Sequence, residues 1–164
     1  QKWSIGCWVN VSNPINPMGG AEVPFEWGNV AGILVYKDPA HTANQFLEEL
    51  MSYCFYPGSS SGQNDGFGFY NFPSGSANLG SWHHYALTAD GNTYFDGVQA
   101  ASAVNGDRSL QATTLFIGGR GDGGITYQNM YGSNISNFFL KKDTIFTASE
   151  IRQIYHAGPK PYTV

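Results

Sequence analysis

The stretch Trp82–Gly97, WHHYALTADGNTYFDG, leaves a chain little choice but to fold back on itself as β-structure. Trp82 to Thr88 alternates bulky residues between two faces, which is the period of a strand. Asp90-Gly91 and Asp96-Gly97 are turn dipeptides, because both residue types tolerate the positive φ at which a chain reverses. Asn92–Phe95 between them is a short return strand, and Val98–Val104 starts another, closed by Asn105-Gly106. His83 and His84 are adjacent within a strand, so their rings point to opposite faces and cannot share a metal ion. One is expected in the core and the other partly exposed.

The same period recurs along the chain. Residues 2–11 place Trp3, Ile5, Cys7, Val9 and Val11 on one face and Trp8 on the other. Glu22–Trp27 reads as a short strand in which Pro24 argues for an edge or a bulge. Val30–Tyr36 and the aromatic run Phe67–Phe72 read as two more. Helical spacing replaces this period twice. Thr42-Ala43-Asn44-Gln45 has the form of a capping box, and Phe46, Leu47, Leu50, Met51, Cys54 and Phe55 follow at helical intervals, so a short helix is expected there. Thr147 and Glu150 form a second capping box ahead of Ile151, Ile154 and Tyr155, with one or two turns of helix ended by Gly158-Pro159.

The segments Thr113–Gly119 (TTLFIGG) and Tyr131–Leu140 (YGSNISNFFL) continue the strand pattern, and Thr147-Ala148-Ser149-Glu150-Ile151 closes it. Taken with Trp82–Gly97 and Trp3–Val9 (WSIGCWV), these motifs resemble, in order and spacing, the laminin G-like (concanavalin A-like) domain family. The resemblance covers about three quarters of the chain and is weakest over residues 38–66. It implies an all-β, two-sheet antiparallel jelly-roll sandwich with one or two short helices. Because that family usually has one or more strands before this point, residues 1–164 are expected to be a single domain cut from a larger protein. The resemblance is specific for fold and poorly specific for function, since one scaffold hosts many sites.

Composition narrows the function classes. Charged residues make up 12% of the chain, about half the usual share, whereas aromatics reach 15%. The few lysines and arginines are scattered in a chain of net charge −4, so no basic face for nucleic acid is present. No apolar run approaches the ~20 residues of a membrane-spanning helix, and no membrane insertion is expected. Cys7 and Cys54 would form one disulfide in an oxidising compartment, or stay as two buried thiols.

An enzyme is not expected. Glu22 and Glu26 have the spacing of the paired glutamates in jelly-roll glucanases, but Pro24 stands where those enzymes carry an aspartate, removing a charge and a ladder hydrogen bond. The strand motifs of the alginate-lyase type are absent, and no nucleophile–base constellation is recognisable.

A binding module fits better. The glycine-rich loop Gly118–Gly124 carries Arg120 beside Asp122, a bidentate donor next to an acceptor, suited to sugar hydroxyls. Tyr127, Asn129 and Tyr131 follow it, and Trp27 adds an aromatic face for stacking on a pyranose. Trp3, Phe69, Trp82 and Tyr85 are assigned to the core. No cofactor is required. Calcium is a candidate ligand, because many domains of the resembled family hold one at a rim. Asp122, Asn129 and Asp65 could supply its oxygen ligands, although Asp before Gly is also ordinary turn chemistry. Arg120-Gly121-Asp122 spells an integrin-type tripeptide, and Asn10-Val11-Ser12 and Asn134-Ile135-Ser136 are glycosylation sequons. The reading is a non-catalytic domain that recognises a glycan or a surface receptor at an extracellular, cell or virion surface. Its rivals are a sandwich that decorates a homo-oligomer or larger particle and, third, a relative of glycan hydrolases or lyases.

Overall fold

The computed structural model of the chain describes residues 2–11, 22–27, 31–37, 50–57, 67–71, 80–102, 114–119 and 134–160. They form ten strands and one helix: β1 (Trp3–Asn10), β2 (Glu22–Trp27), β3 (Ala31–Lys37), β4 (Leu50–Pro57), β5 (Phe67–Asn71), β6 (Trp82–Thr88), β7 (Asn92–Phe95), β8 (Val98–Ser102), β9 (Leu115–Ile117), β10 (Asn134–Lys142) and α1 (Ala148–His156). One sheet runs β10-β1-β6-β7-β8 and the other β5-β4-β3-β2-β9, with every pairing antiparallel. The fold is thus the two-sheet antiparallel sandwich with a short helix that the turn signals implied.

The sheets are joined by one apolar layer. Trp3, Ile5, Cys7, Val9 and Val11 of the first sheet meet Phe25, Trp27 and Ile33 of the second, together with Tyr85, Leu87 and Ala89. Trp3 and Trp27 pack edge to face with ring centroids 5.7 Å apart, and Phe25 meets Phe138 at 5.6 Å. Such pairs add to the area they bury because ring edges are positive and faces negative. Cys7 is a free, fully buried thiol, and burial pushes its pKa far up.

A second, smaller layer covers the outer face of the first sheet. Ala86, Tyr94 and Ile151 are buried there with Phe139 and Phe146 packed against them. The chain crosses from β10 to α1 over Ser4, whose buried hydroxyl donates to Thr144 O (3.2 Å) and accepts from Phe146 N (2.7 Å). The Thr147–Glu150 capping box is formed in both directions. Hydrogen bonding to Thr147 lowers the pKa of the Glu150 carboxyl.

Two local departures from expectation have physical causes, and one open alternative is decided. The helix expected over 42–55 does not hold over its described part: Leu50–Pro57 is β4, hydrogen-bonded on one side to β3 and on the other to β5. Two flanking ladders satisfy more backbone groups than a short helix would, and tertiary context overrides local periodicity. The residues 38–49 that held its cap lie outside the described residues. Pro24 does not mark an edge, since β2 lies between β3 and β9; it marks a bulge, with the register slipping between Glu22 and Phe25. Trp82, assigned to the core, is only half-buried because it opens β6 at the rim of the sheet.

Two substitutions test this packing. A Cβ at Gly6 would lie 2.5 Å from Tyr85 O and 2.8 Å from the Phe139 ring, which sits across from it in the register. Gly6→Ala is therefore expected to cost about 3 kcal/mol, the upper range for overpacking, read as a lowered denaturant midpoint. Thr147→Ala should cost about 1 kcal/mol, the usual worth of an N-cap, and Thr147→Ser should recover most of it.

Candidate functional site

The strand registers fix where each connection is anchored. The Trp3–Trp27 contact brings the start of β1 beside the end of β2, so the two sheets share rims in a defined sense. At one rim lie the end of β1, the starts of β2, β6 and β10, the end of β9, and the paired ends Lys37 and Leu50 of β3 and β4. The stretches 12–21, 38–49, 72–79 and 120–133, all outside the described residues, depart from and return to strand ends at this rim. The opposite rim carries the Asp90-Gly91 turn and the flanks Pro57 and Phe67 of residues 58–66.

The described floor of the first rim is polar and held in place. Asn10 is directly across β1 from Trp82 on one side and Asn134 on the other. Its side-chain amide donates to Gly80 O (3.2 Å), while Gly80 N donates to Val11 O (2.9 Å). Gly80 sits at φ +75, which glycine adopts without the penalty a Cβ would incur. Gly80, Ser81 and Asn134 are exposed. At the end of β9, Ile117 is 54% exposed, an unusual position for a large apolar side chain.

Beneath this rim is a histidine–carboxylate pair that the sequence reading did not single out. Asp96 accepts from His83 Nδ1 through one carboxylate oxygen (2.9 Å) and from the His84 backbone amide through the other (2.8 Å). The His83 imidazole stacks on Phe95 with centroids 5.1 Å apart. Asp96 was legible only as a turn residue, and it is one, at φ +48. The missing signal was the hairpin register, which carries Asp96 back beside His84: Asp96 N donates to His84 O (2.9 Å).

The candidate binding residues fare unevenly. Arg120, Asp122, Tyr127, Asn129 and Tyr131, as well as Asp65, lie outside the described residues. Trp27 is a correction: it is 3% exposed, its ring turned inward onto Trp3, so it cannot stack on a sugar. It alternates with Phe25 on the core face of β2, and core burial of two aromatics outweighs the adjacent glycine that suggested a loop. His83 and His84 divide as expected, His84 buried and His83 partly exposed. No group of three or more His, Cys, Asp or Glu placed to hold a metal ion occurs among the described residues. No helix among them is long and apolar enough to cross a membrane.

With this geometry the chain can be compared with known proteins. Its fold is similar to that of the receptor-binding domain of botulinum neurotoxin mosaic serotype C/D. The match has a TM-score of 0.61 at 12% sequence identity and covers 96% of this chain but 37% of that one. At that identity it speaks for the sandwich alone, and the chain spans little more than a third of the solved protein. No protein-family model and no curated protein matches the sequence.

Replacing Asp96 tests the pair beneath the rim. Asp96→Asn keeps a residue type that tolerates positive φ and one acceptor oxygen; Asp96→Ala removes both hydrogen bonds and strains the turn. Asp96→Ala is expected to destabilise by about 2–3 kcal/mol, with Asp96→Asn losing less than half of that, measured by urea unfolding.

Proposed function

We propose that the chain is a non-catalytic binding module that recognises a glycan or a glycosylated surface receptor outside the cell, through the connection that follows β9 at the rim described above. The observation that carries this is topological. Residues 120–133, with Arg120, Asp122, Tyr127, Asn129 and Tyr131, link two strand ends held at one rim of a rigid sandwich, beside the exposed Ile117. Recognition usually resides in loops positioned by such a scaffold, which can vary without disturbing the core. Similarity in fold to part of a toxin's receptor-binding domain supports the same reading.

Arg120 would clamp vicinal hydroxyls or a carboxylate, with Asp122 and Asn129 as acceptor and amide and the tyrosines as stacking faces. Calcium, where it contributes, would be held by Asp122 and Asn129. Asp65, the third candidate, belongs to the stretch 58–66, whose flanking strands end at the opposite rim.

A decorating role in an assembly is the second reading, favoured by Val98, 60% exposed on the edge strand β8. A glycan array probed with and without chelator separates the two. Array binding is expected, and Arg120→Ala should weaken it roughly tenfold or more, about 1–3 kcal/mol, with no change in melting temperature. Binding lost on chelation would assign the calcium role. A blank array together with concentration-dependent self-association would favour assembly instead.

A further inference from the structure

His84 is a buried histidine that the rim does not use. Its side chain is fully buried in the outer layer of the first sheet, and neither ring nitrogen has a hydrogen-bond partner among the described residues. Its neighbours are rings: Trp8 of β1 at 5.4 Å, Phe139 of β10 at 6.3 Å and nearly parallel, and Tyr155 of α1 at 6.4 Å. Tyr155 in turn stacks on Trp8 at 5.3 Å, so the helix closes the site like a lid. A phenylalanine would fill such a place without leaving polar atoms unpaired, which cost stability when buried.

We propose that His84 is an acid-sensitive latch for α1: protonation of its ring drives the helix off the outer face of the first sheet while the core between the sheets stays assembled.

The groups around it determine the sign. Trp8 and Phe139 bring no charge, and Tyr155 brings a phenol. Tyr94 of β7 lies in the same layer, its own phenol pushed up by burial and then by Asp90. Arg152 and His156 of α1 are exposed. Asp96 is the nearby anion, but its two oxygens are engaged by His83 and by the His84 backbone amide. Burial therefore wins over the smaller opposing pull of Asp96, and the imidazole pKa falls from 6.5 to about 4. Above pH 6.5 the ring is neutral whether the lid is open or closed, and pH has no effect. Below it the open form takes up a proton that the closed form refuses, so the closed seat loses stability from about pH 6.5 down to about pH 4, where the loss levels off.

The helix is the element that can yield. It contributes to the outer layer, built on Ala86, Tyr94 and Ile151, and not to the layer between the sheets. Nine residues are too few to stay helical alone in water, so a released α1 should unwind. Beyond it the chain remains tied to β10, where Asn137 donates to Gly158 O (2.7 Å) and Ser136 to Lys160 O (3.1 Å).

Hydrogen exchange resolved by residue tests this, corrected for the intrinsic pH dependence of exchange. Between pH 7 and pH 5 the opening of amides 151–157 should increase roughly twentyfold, the ratio set by a group titrating at 6.5 when open and about 4 when closed. Amides of β1 should stay protected. His84→Phe should abolish the change, and Glu150→Gln, which keeps the cap but not its titration, should leave it intact. The proposal is overturned if His84→Phe opens with acid as the parent does, if Glu150→Gln removes the effect, or if α1 and β1 open together at every pH. Should His84→Phe not fold, the histidine ring resonances of the parent decide: His84 titrating near 6.5 in the folded protein would end the proposal, and titration well below it would sustain it.

Discussion

A strand buried on both faces is the constraint on which the rest of this molecule depends. Residues 3–9 of β1 are all buried, those on both faces alike. Trp3, Ile5, Cys7 and Val9 point at the second sheet and bind the sandwich together. Ser4, Gly6 and Trp8 point the other way, and each receives something specific: the crossing segment 144–146, the ring of Phe139, and the ring of Tyr155. One strand thus seats two layers.

This double seating explains why the outer layer is sensitive where the inner one is robust. The described cluster between the sheets is built from apolar residues. The outer layer admits a serine, a histidine and a tryptophan N–H, and a single short helix excludes water from it. Wherever burial depends on one small element, the group beneath it senses that element's position. The rim, by contrast, is held by backbone bonds on the shared sandwich, with Gly80 pinned to Val11 and Asn10. The proposed recognition at the rim and the proposed release at the outer face therefore draw on different parts of the fold.

Much of the fold was legible because its signals are local. Asp90-Gly91 and Asp96-Gly97 turn as expected, with Gly91, Asp96 and Gly97 at positive φ, and the second capping box formed as written. The helical spacing over Leu50–Phe55 was misleading, since Leu50–Pro57 also suits a strand and its pairing partners on either side lie outside that window of sequence. Less of the site could be read. Trp27 looked available beside Gly28, and only its register opposite Ala31 and Leu115 shows that it faces inward. The Asp96–His83 pair arises from a hairpin whose length sets the contact, a relation that residue types alone do not express.

The central claim is that partner recognition sits at the rim to which residues 120–133 are anchored. Amide chemical-shift mapping with the strongest glycan from the array tests it most directly. Shifts should concentrate on Asn10, Gly80, Ser81, Trp82, Gly118 and Asn134, with Thr88–Asn92 at the opposite rim and α1 unmoved. Shifts centred on the Asp90-Gly91 turn, or spread over the outer face around Tyr155, would contradict it.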